Sequence, residues 1–291
     1  MSHARLRPLA ALGLMTVIWG YNWVIMKEAL RDCPPLFFVA LRMLLGAGTF
    51  VPILLILKRR FAPPPLRYVL PLGLLQSAAF VGLAVWALKY AGAGPTAVLV
   101  YTMPIWLMLL AWPLLGEPIR GVQWVALALA GGGILAIVAP WGGHVPLRGT
   151  VLALLSALFW AVSTIWQRRM SPRGLDLLNV TFWQMLLGGM ALVLFAVVVE
   201  PWHINWTPAL VGALLYNAIP GTTLALFLWA YAVDNLSSAV VGMGTLVAPL
   251  LGVLAAWWQI DEVPSPTEGV GIAAILGGLA VLAWQQSRPA G

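Results

Sequence analysis

Long apolar runs, broken at near-regular intervals by charges, prolines and glycines, dominate this chain. A helix needs about 20 apolar residues to cross a bilayer. Ten runs meet that need: residues 8–29, 34–57, 67–88, 94–115, 120–140, 148–168, 177–199, 208–231, 236–258 and 267–286. The stretches between them are short and leave no room for an inserted soluble domain. Lipid offers backbone groups no water to bond, and a helix satisfies them within one segment. The pattern predicts an all-α integral membrane protein with ten transmembrane helices.

The pattern also repeats. Aligning Pro104 with Pro249 sets Glu117 on Glu262 and Gly132-Gly133 on Gly277-Gly278 without a gap. Over residues 104–133, nine of thirty are identical to those 145 positions on. Halves of 1–145 and 146–291 then hold five spans each. An odd number turns the second copy upside down. The expectation is two inverted five-helix repeats around a central cavity, the layout of alternating-access transporters.

Composition agrees: 62% of residues are hydrophobic and 9% charged, where soluble domains carry roughly 25% charged residues. The net charge of +7 sits in short inter-helix stretches, which reads as membrane topology and not as nucleic-acid binding. With the N-terminus in the cytoplasm, eleven Lys and Arg fall inside (Arg5, Arg7, Lys58, Arg59, Arg60, Arg67, Arg120, Arg168, Arg169, Arg173, Arg288) and four outside (Lys27, Arg31, Lys89, Arg148). This excess predicts that both termini are cytoplasmic, with Glu117 inside and Asp261, Glu262 and Glu268 outside. The single cysteine, Cys33, excludes an intrachain disulfide. The first span lacks a small-residue cleavage pattern and reads as retained.

Mid-span polar residues carry the functional information in a membrane protein. Trp160, Ser163, Thr164 and Gln167 share one helical face, and Trp19, Asn22, Trp23 and Met26 share another with the same spacing. The two sets coincide at an offset of 141. Both copies thus present an aromatic-polar stripe, read as cavity lining, with helix–helix hydrogen bonding as the alternative. Further candidates for substrate binding are Gln76, Phe80, Tyr101, Trp183, Gln184, Asn217 and Met243, and candidate hinges are Pro104 and Pro249, each of which removes a backbone donor. On this reading Pro104/Glu117 and Pro249/Glu262 mark the register, and the duplicated chemistry lies in the stripes. Arg42 is the one charge well inside a span. It either attracts a substrate carboxylate or ties helix ends through backbone carbonyls. The second is favoured, because Arg42 is expected to stand outside the stripes.

Sixteen tryptophans divide evenly. Trp112, Trp124, Trp141, Trp202, Trp206, Trp257, Trp258 and Trp284 lie near helix ends, as interfacial anchors do. Trp19, Trp23, Trp86, Trp106, Trp160, Trp166, Trp183 and Trp229 sit deeper. No Asp or Glu lies in mid-span and the three histidines are peripheral, so a buried proton relay is not expected and transport is read as facilitative or exchange-type. No catalytic constellation, metal cluster or cofactor motif is found. Gly131-Gly132-Gly133 and Gly188-Gly189 read as close helix packing.

These residues resemble the drug/metabolite transporter superfamily in its ten-span EamA-type branch. The resemblance covers nearly the whole chain. It rests on Trp19-Gly20-Tyr21-Asn22-Trp23, on Pro35 followed by Arg42, and on Pro104 followed by Gly116-Glu117. The second copy departs from it with Asp261-Glu262, and with Gln184 where the first has Arg42. The resemblance implies a bacterial inner-membrane exporter of amino acids, including aromatic ones, or similar metabolites, with no enzymatic activity and no cofactor. Its expected partners are the bilayer and a small-molecule substrate, with the chain a monomer. A multidrug or organic-cation exporter is the alternative. A nucleotide-sugar or sugar-phosphate carrier would need several buried cations, and a non-catalytic membrane subunit would need no matched stripes.

Overall fold

The computed structural model describes residues 3–59, 61–138, 146–172 and 174–286. The apolar runs become α1 (Leu6–Ala29), α2 (Pro35–Ile56), α3 (Leu66–Tyr90), α4 (Ala93–Leu115), α5 (Gln123–Val138), α6 (Leu147–Met170), α7 (Leu177–Val199), α8 (Pro208–Asn235), α9 (Val240–Ile260) and α10 (Pro266–Gln285). Among the described residues, nine of these helices are long and apolar enough to cross a membrane, and α5, with 16 residues, is shorter. No described residue is in a strand. Prolines open α2 and α8 at the position where a missing N–H costs nothing. Asp176 and Thr207 cap α7 and α8 by accepting from Leu178 N and Leu210 N.

Four helices are irregular, and the irregularities come in pairs. In α3 the turns widen to π spacing over Gly73–Phe80, and in α8 over Ile219–Leu224. Thr222 and Thr223 donate their hydroxyls to the carbonyls of Asn217 and Ala218, five residues back, within the widened turn. In α4 the helix is interrupted between Val100 and Met103, and in α9 between Thr245 and Val247. Pro104 and Pro249 sit at the start of the segments that follow, so each break falls just ahead of its proline, where the proline's lost donor no longer matters.

Neither half has a core of its own. The helices pack most closely as α5 on α10 and α2 on α7, with α1 laid against α8 and α9, and α6 against α3 and α4. Every one of these contacts joins one half to the other, and exchanging the halves reproduces the pattern. The expected boundary at 145 falls outside the described residues. Small residues permit the closest approaches. A Cβ on Gly133 would lie 2.6 Å from the Gly271 carbonyl oxygen, and one on Gly271 would lie 2.7 Å from that of Gly133. Between α7 and α3 a Cβ on Gly188 would lie 2.6 Å from the Gly73 carbonyl oxygen and one on Gly73 would lie 2.9 Å from that of Gln184, whereas Gly131 and Gly132 meet nothing.

The outer surface is apolar, with Ile56, Leu177, Leu194, Val198 and Trp258 all strongly exposed. Such a surface suits lipid and not water. Of the end-of-helix tryptophans, Trp141 lies outside the described residues and the other seven are exposed. Trp229, placed among the deeper ones, is exposed too. Cys33, by contrast, is buried between α1 and α2, and burial beside Glu200 and Asp32 pushes its thiol up to about 12.

Replacing Gly271 by Leu should lower the thermal stability of the purified protein in detergent by about 1–3 kcal/mol, the cost of overpacking. Gly132→Leu, which meets open space, should leave the melting temperature within a degree or two of wild type (roughly the ±0.5 kcal/mol of a neutral surface change).

Candidate functional site

Three ion pairs among the described residues join the halves: Arg59–Asp176, at 3.7 Å between the end of α2 and the start of α7, and a matched set of two in which each half supplies one glutamate. After α4 the chain turns at Gly116, with φ +71°, and after α9 it turns at Asp261, with φ +54°. Gly is the residue that adopts this left-handed turn freely, and Asp is among the few others that tolerate it. This accounts for the change from Gly-Glu to Asp-Glu between the copies. In both, the next N–H bonds six residues back, Glu117 N to Ala111 O at 3.3 Å and Glu262 N to Ala256 O at 3.2 Å, the closing bond of a Schellman turn. The two glutamates are thereby held alike. Glu262 pairs with Lys27 at the end of α1, at 3.8 Å, and Glu117 pairs with Arg168 at the end of α6, at 3.4 Å. Because each helix crosses once, these pairs lie on opposite faces of the bundle.

The two faces are not in the same state. At the α1 face the pair is a quarter exposed (27% and 25%) and further anchored. Glu262 accepts from Ala93 N at 2.5 Å, and Lys27 donates to Leu88 O at 2.6 Å. The first segment of α4, Ala93–Val100, is wholly buried and packs on α9 beyond its break. At the α6 face the pair is 47% and 60% exposed. There the second segment of α4 and the first of α9 show no comparable packing among the described residues. The α1 face is closed, and the α6 face is loose. A cavity of about 250 Å³ above the closed pair is lined by Lys27, Arg31, Lys89 and Glu262 among others.

Midway along the bundle the polar residues form two groups. The first joins α1, α2 and α8. Trp19 donates its indole N–H to Gly221 O at 3.1 Å. Asn22 is buried facing Gly221, its Oδ1 3.7 Å from where a Cβ on that glycine would stand. Asn217, one turn earlier, is fully buried and donates to Ala213 O. Arg42 reaches Met26 Sδ through Nη1 at 3.0 Å. One turn further along α2, Gly46 faces Met185 and Thr222, and Thr49 bonds Thr223. The second group joins α6 and α3, where Gln167 donates to Gln76 Oε1 at 3.1 Å.

The remaining sequence candidates are distributed as follows. Ser163 and Thr164 both donate to the Trp160 carbonyl, so their hydroxyls are taken up within α6. Trp23 is buried with Gly252 of α9 at its ring edge. Trp183 donates to Phe61 O in the α2–α3 connection, at 3.0 Å. Phe80 offers its carbonyl to Ser156. Tyr101 is half-buried at the break in α4, and Gln184 is half-buried on α7. The side chain of Met243 lies outside the described residues.

Two expectations are corrected. Arg42 does not stand outside the stripes, because its contact with Met26 sets it on the α1 stripe. Its guanidinium makes no bond to a backbone carbonyl among the described residues, so the helix-tying role has no geometry behind it. Glu117 and Glu262 are also more than register marks, since both are ion-paired across the halves. Sequence reasoning missed their partners, although Lys27 and Arg168 stand at the same offset of 141 as the stripes. That offset was the available signal. A proline and a glycine stand at the start of both sets of π turns, Pro71 and Gly73 in α3 and Pro220-Gly221 in α8, and these were the available signal.

The model of the EamA-like transporter family matches residues 8–139 and again residues 147–284. The chain is 26% identical to the uncharacterized transporter YoaV of Bacillus subtilis (strain 168), over 92% of this chain and 91% of that one. It is 25% identical to a protein of Escherichia coli (strain K12) named "Probable amino-acid metabolite efflux pump", over 96% of each. A solved crystal structure superposes with a TM-score of 0.66 at 20% identity, covering 95% of this chain and 98% of that one, which shows a shared fold.

Double-mutant cycles on thermal unfolding should separate the two ion pairs. Coupling between Arg168 and Glu117 is expected at or below about 0.5 kcal/mol, as for exposed pairs. Coupling between Lys27 and Glu262 should be the larger of the two, and less sensitive to added salt.

Proposed function

This chain belongs to the EamA-like transporter family, and on that premise we propose that it exports amino acids, aromatic ones among them, across the bacterial inner membrane by alternating access. The observation that carries the mechanism is the pair of matched but unequal closures, Lys27–Glu262 with the α4–α9 contact at one face and the more exposed Arg168–Glu117 pair, without such a contact among the described residues, at the other. With both termini cytoplasmic, as the Lys and Arg count favours, the closed face is the external one. The arrangement then suits loading from the cytoplasm. The breaks ahead of Pro104 and Pro249 are placed to serve as hinges, since each separates the segment that packs at one face from the segment that packs at the other.

Three observations favour amino acids over other solutes. Relatives over nearly the full length carry the name of amino-acid metabolite efflux pumps. The aromatic residues Trp19 and Trp160 suit flat or apolar side chains, and Asn22, Gln76, Gln167 and Asn217 offer groups for amino and carboxyl ends. An organic cation would meet the buried positive charge of Arg42, and a sugar phosphate would find only that one cation. Ten helices that interlock across the halves suit a monomer. With acids confined to helix ends and loops, the substrate's own gradient is the driving force.

Counterflow in proteoliposomes tests this. Vesicles loaded with unlabelled phenylalanine or tryptophan should take up the labelled amino acid without an imposed ion gradient. Trp160→Ala and Gln167→Ala should slow that uptake several-fold while inserting normally. Accumulation driven by a pH gradient alone would exclude the facilitative mode, and absence of counterflow for any amino acid would exclude the substrate class.

A further inference from the structure

Arg42 is a buried cation without an anion among the described residues. It is 8% exposed, its Nε has no partner, and its one polar contact among the described residues is the sulfur of Met26. A thioether is a weak acceptor, and an uncompensated charge inside a membrane protein is costly enough that it is kept where it pairs with something or serves a pathway. None of the ion pairs among the described residues includes it. Two acceptors in the same group of helices are also unmatched. Asn217 gives its amide N–H to the Ala213 carbonyl, which fixes the orientation of its carboxamide and leaves Oδ1 buried and bare. Asn22 Oδ1, facing the turn that begins at Asn217, is bare as well.

We propose that Arg42 is the anchor for the substrate carboxylate, with Asn22 and Asn217 accepting from the substrate ammonium. The inference rests on the amino-acid reading above and deepens it to the α-carboxylate and α-amino groups. A guanidinium presents donors in a fork that matches a carboxylate, and two carboxamide oxygens match an ammonium. Free of ligand, all three groups remain unsatisfied, which is the signature of a site built for what it binds. The subsite is one-sided: at the place corresponding to Arg42 the second half has neutral Gln184. It also lies beneath the closed face, because Met26 immediately precedes Lys27. Opening the Lys27–Glu262 pair would uncover the carboxylate end of the substrate to the far side.

The test uses the full chain in detergent, with thermal stabilisation as the readout. The ligands are L-phenylalanine, 3-phenylpropionate, which keeps only the carboxylate, and 2-phenylethylamine, which keeps only the amine. Wild type should be stabilised by both carboxylates. Arg42→Gln should need at least about tenfold more of either for the same shift, the scale of one charge-assisted hydrogen bond, and should respond to the amine as wild type does. Arg42→Lys, with the charge but not the fork, should fall between. Unliganded Arg42→Gln should melt no lower than wild type, because it removes an unpaired buried charge. An Arg42→Gln variant that unfolds, or that weakens all three ligands alike, would assign a structural role and overturn the proposal. So would undiminished carboxylate binding in that variant, or no response of wild type to 3-phenylpropionate. Loss of wild-type amino-acid counterflow with 3-phenylpropionate stabilisation intact would remove the amino-acid reading and leave the anion subsite standing.

Discussion

Every polar group inside this molecule must find its partner from the protein, because the surrounding lipid offers none. That constraint explains features that would otherwise look incidental. The widened turns of α8 leave carbonyls out of the regular ladder, and threonine hydroxyls and the Trp19 indole come to meet them, while at the end of the widened turns of α3 the Ser156 hydroxyl donates to the Phe80 carbonyl. Ser163 and Thr164 turn back onto their own helix for the same reason. Against that background of satisfied groups, the few that remain unsatisfied stand out. Arg42, Asn22 and Asn217 are among them, and they fall on three helices that meet.

The interlocked halves turn a duplication into a machine. Because α1 packs into the second half and α6 into the first, neither half can move without altering contacts at both faces. The closures are made of parts that can be exchanged at low cost. Each has an ion pair of modest strength, held by a turn whose geometry is the same in both copies. On the alternating-access reading proposed above, matched parts would keep the two end states close in free energy, and a substrate would need to supply only a small differential affinity to shift between them. On that reading the inequality of the two faces corresponds to one such state.

On the proposed reading, symmetry makes an alternating-access cycle possible, and departures from symmetry bear on its cargo. Arg42 against Gln184 places a cation on one side of the path only. The Gln76–Gln167 pair joins the two halves where α3 meets α6 and is neutral. A substrate with one charged end and one flat, uncharged end fits that division better than a symmetric one.

The sequence by itself determined the ten spans, their doubling and the membrane as solvent, since length, hydropathy and a gapless offset are local or one-dimensional quantities. It also located Asn22, Asn217, Gln76 and Gln167, because a polar residue in an apolar run is visible without any fold. The tertiary structure alone decided which helices meet. Lys27 and Glu262 are far apart in the chain, and only the packing of α1 on α9 joins them. Likewise Arg42 is read as an outsider along α2 until the crossing with α1 brings it to Met26. Ser163 and Thr164 look available on a helical wheel, yet their rotamers return them to the Trp160 carbonyl. Periodicity gives the face on which a side chain lies, and only three-dimensional contact gives its partner.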